Sequence, residues 1–178
     1  MRCKRHAEAV AAQRWVAGAQ GAQRPGRLPS ARVEQSYLEP NRQQRERLRR
    51  LIDEVDDSGL RRAAASGWSV ATLLAHLAFW DRFGLVRWGA FERTGQFPGP
   101  IDADLLNAAC EAEWQALPPR EAARLALEAV EAIDTYIERL SPSAVEAARA
   151  AGRGVLLERA GHRREHLDQI DRVLGRVG

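Results

Sequence analysis

The sequence predicts an all-α protein, a bundle of four long helices with short extra helices between the long ones. Three observations support this prediction. Apolar residues recur at three- and four-residue intervals in several segments, no segment alternates as a strand does, and breaker-rich stretches separate the periodic segments. Each amphipathic helix must bury its apolar stripe against another element, so several of them in 178 residues indicate a helical bundle.

The first 39 residues differ from the rest of the chain in charge and in patterning. They carry seven basic and three acidic side chains and have no periodic apolar face. Such a segment is either a basic arm that touches nucleic acid or a membrane, or a disordered tail. The composition favours the tail, because polar segments without an apolar face bury too little surface to fold. We therefore predict a basic, disordered tail over residues 1–39 and one domain over residues 40–178.

Residues 40–178 are nearly neutral, with 20 basic and 21 acidic side chains, which argues against nucleic-acid binding by the domain. No apolar run is long enough for a transmembrane helix, and no apolar segment typical of a signal peptide follows the basic start. Two cysteines, Cys3 and Cys110, are too few for a disulfide framework. These features predict a cytoplasmic protein without a membrane partner.

Two helices are predicted in the first half of the domain. The first covers residues 41–56, and the second covers residues 70–93, where Ser69 provides a typical N-cap. A loop over residues 60–68 joins them. The apolar stripe of the first helix contains Leu48, Leu51, Ile52 and Val55, and that of the second contains Val70, Leu73, Leu77, Trp80, Gly84 and Phe91.

Four more helices are predicted after a Pro- and Gly-rich break at residues 94–100. They cover residues 102–117, 120–140 (opened by Pro119), 143–150 and 155–176. The apolar face of the third helix contains Leu105, Leu106, Ala109 and Trp114, and the inward face of the last helix contains Val155, Ile170, Val173 and Val177.

Three of the four histidines lie on or beside these core-facing stripes. His162 and His166 are four residues apart and share one face of the last helix, the spacing that two ligands of one metal ion need. His76, on the second helix, is the candidate for a third ligand. Burying three imidazoles costs free energy unless their ring nitrogens are satisfied, and one divalent cation would bind three lone pairs at once. The alternative for each histidine is a hydrogen-bonded core residue.

Other residues near this histidine triad have candidate supporting roles. Glu158, Glu165 and Gln169 are close enough along the last helix to accept hydrogen bonds from the imidazole N–H groups. Four aromatic residues are candidates to line an apolar pocket beside a metal, with core packing as the alternative: Trp68, Trp80, Phe83 and Trp114.

Two segments resemble signatures of the DinB-like superfamily. Residues 68–81 (WSVATLLAHLAFWD) are similar to its second-helix signature, Trp-Ser/Thr followed by apolar residues and Leu-x-His-Leu-x-x-Trp. Residues 162–170 (HRREHLDQI) resemble its last-helix signature, two ligands four residues apart followed by Gln-Ile or a similar pair. The superfamily includes the mycothiol-dependent maleylpyruvate isomerases, the bacillithiol transferases and the ClbS/DfsB-type four-helix bundle proteins.

The resemblance implies a four-helix bundle that holds one divalent metal, zinc, nickel or similar, through His76, His162 and His166. It also implies thiol S-transfer, isomerisation or hydrolysis of a small electrophile, with a low-molecular-weight thiol such as mycothiol as cosubstrate. The isomerase branch often has Glu where this chain has His162, so the all-histidine set is more similar to the thiol-transferase branch. The alternative is a non-catalytic bundle that binds a metal or ligand for stability, sensing or sequestration. A homodimer is a further expectation, because bundles of this size often pair.

Overall fold

The structure is a computed structural model that describes residues 35–176. Within this range it consists of α-helices and one short 3₁₀ helix and contains no β-strand, which confirms the predicted all-α bundle. None of these helices is both long and apolar enough to span a membrane. The α-helices are α1 (Leu38–Glu54), α2 (Asp57–Arg61), α3 (Val70–Thr94), α4 (Ala103–Ala116), α5 (Pro119–Glu138), α6 (Pro142–Ala150) and α7 (Ala160–Leu174), and the 3₁₀ helix is Gly154–Leu156.

The bundle is built from α1, α3, α5 and α7, and α3 is its central helix. All residues from Val70 to Ala78 are buried, so the first half of α3 is covered on every side. The main core forms where the apolar stripes of these four helices pack together. Its buried members include Leu48, Leu51, Leu60, Leu73, Leu74, Val130, Leu167 and Ile170.

Helix starts follow the chemistry predicted from the sequence. The Ser69 hydroxyl accepts a hydrogen bond from the Thr72 backbone N–H at 3.0 Å, which caps α3 as expected. Pro119 occupies the first turn of α5, where its missing N–H costs nothing. The predicted disordered tail over residues 1–39 lies almost entirely outside the described residues.

Two helix boundaries were predicted wrongly. The segment after α1 is not all loop, because the Asp56 carboxylate caps Gly59 N–H at 2.7 Å and starts the five-residue helix α2. The last helix begins at Ala160 instead of residue 155, and Val155 is 62% exposed. The 3₁₀ helix replaces the predicted start of the last α-helix, because the adjacent Leu156 and Leu157 are both buried in a second apolar cluster.

The third predicted apolar face was also partly wrong. On α4, Leu105 is 68% exposed and Ala109 is exposed, whereas Trp114 is buried and Leu106 is half-buried. Only the C-terminal end of α4 therefore packs deeply against α3. Val177, predicted on the inward face of the last helix, lies outside the described residues.

A buried ion network joins α3, α5 and α7. It consists of Asp81, Asp134, Arg159 and Arg163, none of them more than 5% exposed. Asp81 accepts hydrogen bonds from Arg159 Nε at 2.8 Å and from Arg163 Nε at 3.0 Å. Arg163 Nη1 donates to Asp134 Oδ2 at 3.0 Å, and burial raises the pKa of Asp134 while this hydrogen bond opposes the rise.

We expect Asp81→Ala to lower the free energy of unfolding by about 3–5 kcal/mol, because it leaves two buried guanidinium groups without their shared counter-ion. Urea unfolding followed by circular dichroism measures this loss. The matched control is Glu128→Ala, which removes a carboxylate from the exposed pair with Arg124 and should cost less than about 1 kcal/mol. Similar losses for the two variants would contradict the structural role of the network.

Candidate metal centre

The structure brings His76 of α3 together with His162 and His166 of α7. One ring nitrogen from each histidine lies within 4.8 Å of those of the other two, so the three residues could hold a metal ion. His76 Nε2 and His162 Nε2 lie 3.0 Å apart. A tetrahedral zinc ion with Zn–N bonds of about 2.0–2.1 Å needs ligand nitrogens about 3.3 Å apart. The cluster is therefore close to the required size.

The start of α7 is fixed by Asn41, a buried residue of α1. Its side-chain N–H donates to the Leu157 carbonyl at 2.7 Å, and its carbonyl oxygen accepts from the Ala160 N–H at 2.9 Å. These two bonds satisfy a backbone donor and a backbone acceptor where the chain enters the helix. Because His162 lies in the first turn of α7, Asn41 helps to position the first clustered histidine of that helix.

His76 is 4% exposed and is surrounded by three indole rings. Its ring centroid lies 5.0 Å from that of Trp114, 5.3 Å from that of Trp68 and 6.3 Å from that of Trp80. Aromatic neighbours on several sides restrict the orientation of the imidazole and exclude water from it. The ring edge that faces α7 is thereby held toward the other two histidines.

Two of these indoles are oriented by polar residues of α4. Trp68 Nε1 donates to Glu111 Oε1 at 2.9 Å, and Trp80 Nε1 donates to Asn107 Oδ1 at 3.0 Å. Neither Asn107 nor Glu111 was predicted as a site residue from the sequence. Their spacing of four residues puts them on one helix face, but only the packing of α4 beside α3 gives that face a role.

The electrostatic environment keeps two of the imidazoles neutral at pH 7. Burial, followed by the charge on His166, lowers the pKa of His76 to about 3. Burial also lowers the pKa of His162 to about 2, and the positive charge of Arg159 contributes further. Neutral imidazoles keep the lone pairs that a metal ion requires.

The third imidazole has a partner on the next turn of its helix. His166 Nδ1 lies 3.0 Å from Gln169 Oε1, which confirms Gln169 as an acceptor and leaves His166 Nε2 for another contact. Glu158 and Glu165 make no hydrogen bond to these rings within residues 35–176. His76 Nδ1 is buried without a hydrogen-bond partner in the same range, whereas the ring nitrogens of a purely structural buried histidine are normally hydrogen-bonded.

A cavity of about 410 Å³ opens beside the three histidines. No other Cys, Asp, Glu or His among the described residues belongs to the cluster, so the side of the histidines that faces the cavity has no further protein ligand. A larger cavity of about 730 Å³ lies between α3, α5 and α6, but none of the described histidines lines it. The smaller cavity is lined by Trp68, His76, Trp80, Ala103, Asn107, Val155, Arg159, His162, Glu165 and His166.

The four predicted pocket aromatics are divided between two cavities. Trp68 and Trp80 line the cavity beside the histidines, whereas Phe83 and Trp114 line a neighbouring one of about 300 Å³. Cys110 is half-buried against the apolar cluster around Trp114, as expected for a small packing residue.

The neutral buried histidines predict a pH effect on the metal-free protein. Between pH 6.5 and 5 the unfolded chain binds protons that His76 and His162 cannot bind in the folded state, so stability falls as the pH falls. We expect His162→Gln to reduce the loss between pH 7.5 and pH 5 by about 2 kcal/mol, measured by urea unfolding. His6→Gln is the control for removal of a histidine, and an equal effect of both variants would contradict the assignment.

The sequence model of the DinB superfamily matches residues 41–170. This match extends from α1 into the last turn of α7 and includes all three clustered histidines, which confirms the resemblance found in the two signature segments. No curated protein and no solved structure matches the chain. Since the match covers well over half of its length, the chain belongs to the DinB superfamily.

Proposed function

We propose that this chain is a divalent-metal-dependent enzyme, an S-transferase, isomerase or hydrolase, that acts on a small electrophile with a low-molecular-weight thiol as cosubstrate. One observation carries the proposal: three histidines from two helices meet at the wall of a cavity of about 410 Å³. That volume suits a small molecule, and indole rings form part of its wall.

Metal ligation is the role we assign to His76, His162 and His166. Three imidazoles accept zinc, nickel and several other first-row ions. A bound divalent ion lowers the pKa of a thiol or water and polarises a carbonyl. The histidines are therefore ligands and not proton carriers, which agrees with the lowered pKa values of His76 and His162.

The remaining cavity residues would orient the reactants. Trp68 and Trp80 offer apolar surface against which the electrophile packs, and their hydrogen bonds to α4 hold both indoles in place. In S-transfer the thiol proton leaves to solvent, the sulfur lone pair forms a C–S bond, and the leaving group departs with its bonding electrons. Mycothiol and bacillithiol are candidate thiols, and we also propose a cytoplasmic location.

The alternative is a non-catalytic bundle in which the metal or a ligand serves stability, sensing or sequestration. A fourth protein ligand closing the cluster would favour that alternative. Among residues 35–176 no such ligand accompanies the three histidines, and a cavity adjoins them instead. These two observations support the enzymatic proposal over the alternative.

We expect the purified protein to contain about one divalent ion per chain, measured by elemental mass spectrometry. His162→Ala should weaken metal affinity by more than about 100-fold, because loss of residues that only orient ligands already costs about 10- to 100-fold. Added zinc should raise the melting temperature of the wild type but not that of this variant. His6→Ala is the matched control, and an equal loss of metal in both variants would argue against the histidine triad.

We also expect turnover of an aromatic chloride or an epoxide to require both metal and thiol. Chelation should abolish turnover, and added zinc or nickel should restore it, because the ion activates the thiol. Mycothiol, bacillithiol and cysteine are compared as cosubstrates by following product formation. Turnover that persists after complete metal removal, or in His162→Ala, would exclude this mechanism.

A further inference from the structure

The side chain of Arg159 lies in the wall of the cavity and is only partly paired. It is 5% exposed. Its Nε donates to Asp81 at 2.8 Å, and its Nη1 donates to the Val155 carbonyl at 3.1 Å. Its Nη2 is buried and has no hydrogen-bond acceptor within the described residues. A buried cationic donor without an acceptor is costly, so this group needs a partner.

The ion network cannot supply that partner. One oxygen of Asp81 accepts from Arg159, and the other accepts from Arg163. Asp134, the other buried carboxylate, is shared between Arg163 and Arg45. Arg45 also pairs with Glu138, so its charge is balanced without Asp81. Arg159 has only a share of the Asp81 carboxylate, because the other oxygen of that carboxylate accepts from Arg163.

The position of Arg159 connects it to the candidate metal centre. It lies three residues before His162, and both side chains line the same cavity. Its charge also contributes to the lowered pKa of His162, which agrees with their closeness. Among the described residues that line this cavity, Arg159 is the only Arg or Lys and Glu165 is the only Asp or Glu, and the apolar Val155 and Trp80 line it as well.

We propose that Arg159 binds a carboxylate group of the small molecule that occupies this cavity, so that the substrate is a carboxylic acid with an apolar body. That this molecule is a substrate rests on the proposed function, whereas binding of its carboxylate does not require a metal. Asp81 compensates only part of the positive charge of Arg159, and a ligand with one negative charge would compensate the rest. A phosphate dianion would require more cationic donors than this cavity offers.

The test uses metal-free full-length protein, because a bound metal would itself attract a carboxylate. Phenylacetate and its uncharged analogue phenylacetamide are titrated while tryptophan fluorescence is recorded. We expect the wild type to bind the acid at least about tenfold more tightly than the amide, because a hydrogen bond between charged groups contributes about that much to affinity. Arg159→Gln should abolish this preference without weakening amide binding. Arg124→Gln, which removes a charge from an exposed part of α5, should leave the preference unchanged.

Three results would overturn the proposal. They are equal binding of acid and amide by the wild type, a preference that survives in Arg159→Gln, and stronger binding of inorganic phosphate than of phenylacetate at the same site. If Arg159→Gln does not fold, the acid-to-amide ratio of the wild type decides, because no other Arg or Lys within residues 35–176 lines the cavity. Failure of the metal and thiol experiments would remove the enzymatic proposal but leave this metal-free result intact.

Discussion

The structure depends on one constraint, the pairing of charges that are buried at the centre of the bundle. Arg163 of α7 lies between Asp81 of α3 and Asp134 of α5, and it is almost completely buried. An apolar interface tolerates small shifts of one helix along another, but these hydrogen bonds require a particular register. Arg163 follows His162 directly, and Asp81 is five residues after His76. The register that pairs the charges is therefore also the register that brings the histidines together.

Much of this fold could be predicted from the sequence, because periodic apolar stripes and capping residues indicate long helices. Ser69 and Pro119 marked helix starts correctly. The short α2 was missed because five residues are too few to display a period. The start of α7 was placed too early because residue 155 falls in phase with His162, and only the burial of Leu156 and Leu157 separates the 3₁₀ helix from α7.

The candidate site was predictable to a different degree for different residues. The histidines share spacing and helix context, so their proximity could be expected from the sequence. Asp81 and Arg163 could not be assigned to the interior, because charged residues are usually exposed and their partners lie on other helices. Arg159 was in phase with His162 and His166, but nothing in the sequence indicated that one of its donors would lack an acceptor. Such a shortage is a property of three-dimensional packing.

The way Asn41 holds the start of α7 has a consequence for how the domain assembles. Its two bonds connect positions 116 and 119 residues apart, and the His76–His162 contact connects positions 86 residues apart. The first of these contacts to form carries most of the entropy cost of closing such a long loop. The other contacts then form at little extra cost. We therefore expect the contacts of the last helix to form together in folding. A nascent chain cannot complete the histidine cluster until His166 has left the ribosome.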